Sequence, residues 1–178
     1  MNSPSLKSNA TKYGLMLGML IVIYGLILLL VGISREQWAS YPDYLFIIIA
    51  LYLCLKTYRD KLNGGYMTFG EGFRSGAMVT FLSSSISGLY VYLMAAVIDP
   101  GMIDFVMEQA EMEMEASGNS DKEIEMAMEW MEKMMTPIFF GFMVWISFGI
   151  FGGVVSLITS AIMKKDPPQQ IHESVAVE

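Results

Sequence analysis

Charge is scarce: Asp, Glu, Lys and Arg make up 16% of the 178 residues, against about a quarter in soluble domains. Cysteine and histidine occur once each, as Cys54 and His172. A lone cysteine excludes an intramolecular disulfide, so the chain carries no redox-compartment signal. A single histidine in a polar tail excludes bis-histidine haem ligation and a converging Ser-His-Asp set. HExxH, GxSxG and P-loop patterns are missing, which removes the commonest hydrolase and nucleotide signatures. No Asp, Glu, Lys, Arg or His stands in the middle of a long apolar run. Such groups mark proton relays and ion pathways, so their absence weighs against an ion-coupled transporter. We therefore expect no enzyme, no catalytic residue and no cofactor. Nucleic-acid binding is not expected either, because the basic residues cluster at the edges of apolar runs, where they anchor.

Apolar residues, by contrast, make up 54% of the chain, more than a soluble core of this size can hide. They fall into four runs, at residues 13–33, 42–58, 68–98 and 137–163. The first is long enough to span about 30 Å of hydrocarbon. It is too long for a signal-peptide core, and no small-residue cleavage site follows it, so it reads as an uncleaved anchor. The second is the shortest, with Pro42 in its first turn, where a missing N–H costs little. Thr68-Phe69-Gly70-Glu71 predicts a capping box at the start of the third, and Thr136-Pro137 an N-cap pair at the start of the fourth.

Charge sets the expected orientation. Lys7, Lys12, Lys56, Arg59, Lys61, Arg74, Lys164 and Lys165 flank one side, leaving Arg35, Lys122 and Lys133 on the other. The connection between runs three and four carries eleven acids. This pattern predicts a multi-pass membrane protein with N and C termini in the cytoplasm. Residues 1–12 and 164–178 are expected to be polar tails, disordered in the cytoplasm. The fold class is all-α: an integral membrane four-helix bundle, residues 13–163, with an extracytoplasmic amphipathic helical hairpin at residues 99–136 between spans 3 and 4.

Lipid gives helices no hydrophobic reason to associate, so small residues mark seams. Gly18 and Gly25, with Gly14 and Gly32, line one face of the first span, and Ser83-Ser84-Ser85 with Ser87-Gly88 gives the third two small-xxx-small pairs. The fourth has Gly149-x-x-x-Gly153 and, on another stripe, Gly152, Ser156 and Ser160. These seams serve packing within the chain, a homo-oligomer or a membrane-protein partner, and the sequence leaves the three open. In the hairpin, Ser117-Gly118-Asn119 reads as the turn and Ser120-Asp121-Lys122-Glu123 as a second capping box. Nine of the seventeen methionines lie there. Thioethers select Cu(I), which makes Met112, Met114, Met126 and Met128 the candidates for a copper site. Methionine is also an adaptable packing residue, and residues two apart on a helix face different ways, so packing is the preferred reading.

The densest polar cluster runs from Lys56 to Arg74. Arg59, Glu71 and Arg74 are candidates to pair, to hold lipid head groups or to meet a partner; the plainer reading is a tight interfacial turn with Glu71 as cap. Tyr58-Arg59, Asn63-Gly64-Gly65, Thr68-Phe69-Gly70-Glu71-Gly72-Phe73 and Gly76 resemble an uncharacterised bacterial family, as does Ile98-Asp99-Pro100 before the Met- and Glu-rich loop. That family is domain of unknown function four-one-nine-nine, of short four-span membrane proteins. The resemblance implies an inner membrane address facing the periplasm and supplies no activity. The expected function is a non-enzymatic accessory, structural or interaction subunit. Its rivals are an extracytoplasmic cation- or copper-handling protein and a small-solute channel or permease using the serine-lined third span.

Overall fold

The first helix, α1 (Pro4–Val31), is 28 residues long, about 42 Å at 1.5 Å per residue. That exceeds the hydrocarbon thickness of about 30 Å, and its polar first turns continue the helix past the apolar run. The computed structural model describes residues 4–167, and the tail expected at residues 1–12 is helical from Pro4 onward. The reason is tertiary. Ala10 is fully buried, and Asn9 donates from Nδ2 to the Cys54 carbonyl at 3.0 Å and to Cys54 Sγ at 3.3 Å. The second expected tail lies outside the described residues from residue 168 on. Its start is held, because Met67 and Lys165 exchange backbone hydrogen bonds of 2.9 and 2.8 Å.

Helix α1 stops at Gly32, whose φ of +79° puts it in the left-handed region that suits glycine. The N–H groups of Gly32 and Ile33 return to the carbonyls of Leu29 and Leu28, a Schellman closure. Gly32 is therefore a stop signal and not a member of the seam made by the other glycines of α1. A short 3-10 turn (Gln37–Ser40) leads into α2 (Tyr41–Thr57), and a π-helical turn (Tyr58–Leu62) extends it. With both turns the shortest apolar run becomes a continuous helical stretch, Trp38–Leu62. Helix α3 (Phe69–Leu93) begins on the expected capping box: Glu71 N–H donates to Thr68 Oγ1, and Thr68 N–H donates to Glu71 Oε2 at 2.9 Å. A second π-helical turn (Met94–Ile98) ends it. Two shorter helices, α4 (Gly101–Ala116) and α5 (Asp121–Met134), precede α6 (Pro137–Met163). The turn between α4 and α5 is made at Gly118, φ +80°.

Four stretches, Ser5–Val31, Trp38–Leu62, Phe69–Ile98 and Pro137–Met163, are long and apolar enough to cross a membrane. Their outward side chains fit that solvent. Leu30, Ile162, Ile138 and Ile150 are 86, 77, 71 and 65% exposed, apolar exposure that water would penalise and lipid does not. Four such helices point to a helical membrane protein.

Helix α3 packs between α1 and α6. On its α1 side, β-carbons at Gly14, Gly18 and Gly25 would strike Leu82, Ile86 and Tyr90. On its α6 side, Gly72 meets Ser160, Gly76 meets Ser156, Thr80 meets Gly152 and Gly88 meets Gly141. Small residues let these backbones approach where larger ones could not. Helix α2 closes the core through Ile47, Leu51, Cys54 and Leu55, with Leu17, Val79 and Met163. The serines of α3 mostly bond to their own helix: Ser83 donates to the Thr80 carbonyl, and Ser84 and Ser85 to that of Phe81. This is how a hydroxyl is accommodated in a helix seam, and Ser85 Oγ also accepts from Trp145 Nε1 of α6 at 3.2 Å.

Candidate functional site

Three sets of residues were singled out by sequence, and the fold treats each differently. Arg59, Glu71 and Arg74 do not converge. The Glu71 carboxylate is saturated by its own neighbourhood: Tyr58 Oη donates to Oε1 at 3.0 Å, and Thr68 N–H and Oγ1 both donate to Oε2 at 2.9 Å. Arg59 donates Nε to Asp60 at 2.7 Å and Nη1 to the Met163 carbonyl at 3.3 Å, tying the α2–α3 link to the last turn of α6. Arg74 is exposed on α3. The cluster is a clamp between chain segments, with one arginine facing outward.

The glycine sets divide. Gly18 and Gly25 are covered, as above. A β-carbon at Gly149 or Gly153 would meet nothing within 4 Å, so this pair makes no seam within the chain. It floors a cavity of about 320 Å³ on the outside of the α3–α6 pair, walled by Phe73, Ala77, Phe81, Ile146 and Ile150. The inward stripe of α6 is instead Gly141, Gly152, Ser156 and Ser160, all buried.

The four methionines also separate. Met112 lines a space beneath α4 beside Phe105 and Glu113. Met128 lines a groove between α4 and α5 with Glu111, Glu125 and Glu132. Met114 lines neither, and Met126 is 50% exposed. The four thioethers thus share no common cavity. Among the described residues no group of three or more His, Cys, Asp or Glu is placed to hold a metal ion.

The end of the bundle that carries α4 and α5 holds a feature that sequence reasoning passed over. Arg35, in the α1–α2 link, reaches Asp99 with Nη2 at 2.9 Å from Oδ1 and 3.1 Å from Oδ2, and lies 5.5 Å from the centre of the Phe105 ring. This contact pins α4 across the bundle end. Behind it lies a cavity of about 340 Å³ lined by Asp43, Ser40, Tyr44, Tyr90, Ser147 and Phe148 among others. Asp43 Oδ1 is closed off from solvent and has no hydrogen-bond partner. In the sequence Asp43 reads as an ordinary first-turn acid beside Pro42. The signal was a carboxylate placed at the mouth of an otherwise apolar run.

A family model described as "Protein of unknown function (DUF4199)" matches residues 12–165. The chain belongs to that family. The match runs from Lys12 in α1 through α6 to Lys165, which bridges to Met67. Membership in DUF4199 assigns no activity, so the geometry has to speak for the role. No curated protein and no solved structure matches the chain. The Gly149/Gly153 groove and the Asp43 cavity are two features of this DUF4199 protein open to a second molecule.

Proposed function

We propose that the chain is a non-enzymatic, four-span inner-membrane bundle that works as an accessory or interaction subunit, docking laterally to a second membrane helix. In this reading both termini are cytoplasmic and the α4–α5 hairpin is extracytoplasmic, following the positive charge at the α2–α3 link and at Lys164 and Lys165. The observation that supports it is the uncovered Gly149-x-x-x-Gly153 face. Two glycines one turn apart on a lipid-facing helix leave the backbone bare, and bare backbone is what close helix–helix contact in a membrane needs. Phe73, Phe81 and Ile150 stand around them as walls that a partner helix fits between. The buried seams are already used for folding, so this face remains for association.

The test is crosslinking in native membranes, comparing the wild type with the double variant Gly149→Leu, Gly153→Leu. A self-crosslinked dimer or a reproducible partner, lost in the double variant, supports the reading. Recovery of neither, from wild-type membranes, sinks it. A crosslinked species that survives both substitutions moves the contact off this face.

A further inference from the structure

The Asp43 cavity makes a second, independent site. We propose that it binds a small organic ammonium group, with Asp43 as the counter-ion.

The volume comes first. About 340 Å³ falls in the range of small-molecule pockets, roughly 300–1,000 Å³, and far exceeds what one bare ion fills. The chemistry of the lining then selects the ligand. Asp43 is held half-buried with Oδ1 sealed from solvent and unpaired. A carboxylate in that position is costly unless a cation or donor meets it. Arg35, which lines the cavity, does not serve: it is committed to Asp99 and to the face of Phe105. Among the described residues no lysine or arginine forms an ion pair with Asp43. A cation that meets Asp43 would therefore come from outside the chain.

A hard metal ion fits poorly, since Ca²⁺ takes six to eight oxygen ligands and Mg²⁺ six, and only one carboxylate here is uncommitted. An ammonium needs less. One carboxylate supplies the charge, and ring faces supply the rest through cation–π attraction. Tyr44, Tyr90, Phe140 and Phe148 all line the cavity. Tyr44 is fixed edge-on against Phe148 and Phe151, with centroids 5.9 and 4.8 Å away, so that part of the wall is preformed. The space beneath α4 shares Ser34, Arg35, Ser40, Met102 and Phe140 as lining with the cavity, so the two are neighbours with Arg35 between them.

An ammonium group reaches this depth from a free amine or from an ethanolamine lipid head group. Both present the same chemistry to Asp43. The experiment uses the full chain in nanodiscs of phosphatidylglycerol alone, with ethylammonium chloride as probe against sodium chloride at equal ionic strength. Saturation-transfer NMR reads binding at the probe's methyl group. Transfer in the wild type that falls at least tenfold in Asp43→Asn supports the site. Ser40→Lys, which places an internal ammonium at the cavity wall, should abolish it as well and keeps the test open should Asp43→Asn not fold. No transfer in the wild type, or equal transfer in the folded variants, overturns the proposal. A second arm uses nanodiscs containing phosphatidylethanolamine and native mass spectrometry. Retention of that lipid by the wild type and not by Asp43→Asn assigns the ammonium to the head group. Free-amine binding without retention assigns it to a soluble amine. None of these outcomes depends on the Gly149/Gly153 face, so the two proposals stand or fall separately.

Discussion

Gly141→Ala adds one carbon and two hydrogens, net, where the backbones of α3 and α6 approach closely. The new β-carbon would lie 2.6 Å from the Gly88 carbonyl oxygen and 3.0 Å from Tyr92 Cβ, while the reciprocal position on Gly88 is 2.8 Å from the Gly141 carbonyl oxygen. Both obstacles to a methyl group here include backbone, which no rotamer change can move. Relief to an ordinary contact of 3.4 Å requires the helices to part by roughly 0.8 Å at this point. Overpacking of this kind costs about 1–3 kcal/mol, and alanine returns up to about 1 kcal/mol in helix propensity. The expected net loss is about 1–2 kcal/mol, a 5- to 30-fold drop in the folding constant. Gly149→Ala is the matched control, on the same helix with nothing within 4 Å of the new carbon; its expected effect on folding is none or a slight gain. Unfolding by SDS in mixed micelles can be followed by tryptophan fluorescence, since Trp145 sits at this seam with Nε1 3.2 Å from Ser85 Oγ. If both variants unfold at the same SDS fraction, the pairing of Gly88 with Gly141 is not what holds α3 to α6, and the seam has been drawn wrongly.

Three further outcomes follow from local geometry. Thr68→Ala removes the hydroxyl that caps α3 and one of the donors to Glu71, and should cost about 1 kcal/mol with faster amide exchange in the first turn of α3. Arg35→Ala should speed exchange along α4 while lowering global stability by less than about 1 kcal/mol, because an exposed ion pair contributes little and the cation–π contact adds about as much. Glu123 accepts from Ser120 N–H at 2.9 Å and from Ser120 Oγ at 2.7 Å, and the backbone bond, foremost, holds its carboxyl below the ordinary glutamate range. A lowered folded-state pKa means stabilisation present above the unfolded value and lost as pH falls through the folded one. The start of α5 should therefore fray in that acidic window in the wild type, whereas in Glu123→Gln amide exchange at residues 120–124 should lose this pH dependence.

The contrast between the two stripes of α6 shows where sequence stops. Gly149-x-x-x-Gly153 and Gly152, Ser156, Ser160 are equally good small-residue faces on paper. In water, polarity would say which one faces the core. In lipid both the interior and the exterior of a bundle are apolar, so hydropathy carries no rotational information and only the fit against α3 decides. The same blindness hid Asp43, whose first-turn position is legible but whose direction is not, and it grouped Gly32 with the seam although its backbone ends the helix.

What the sequence determined alone were the features written in local chemistry: four helices from the length and purity of the apolar runs, their starts from Thr68 with Glu71, Ser120 with Glu123 and Thr136 with Pro137, and the hairpin turn at Gly118. Each depends on neighbours within a few residues, which the chain order supplies. What tertiary structure decided were the features that depend on rotation and long-range contact. It placed Asn9 on Cys54 and so ordered the first turns of α1. It spent Glu71 and Arg59 on holding segments together, and turned Gly149 and Gly153 outward. It also enclosed Asp43 behind the Arg35–Asp99 pair, because four helices meeting at an end leave a space whose lining no single helix specifies.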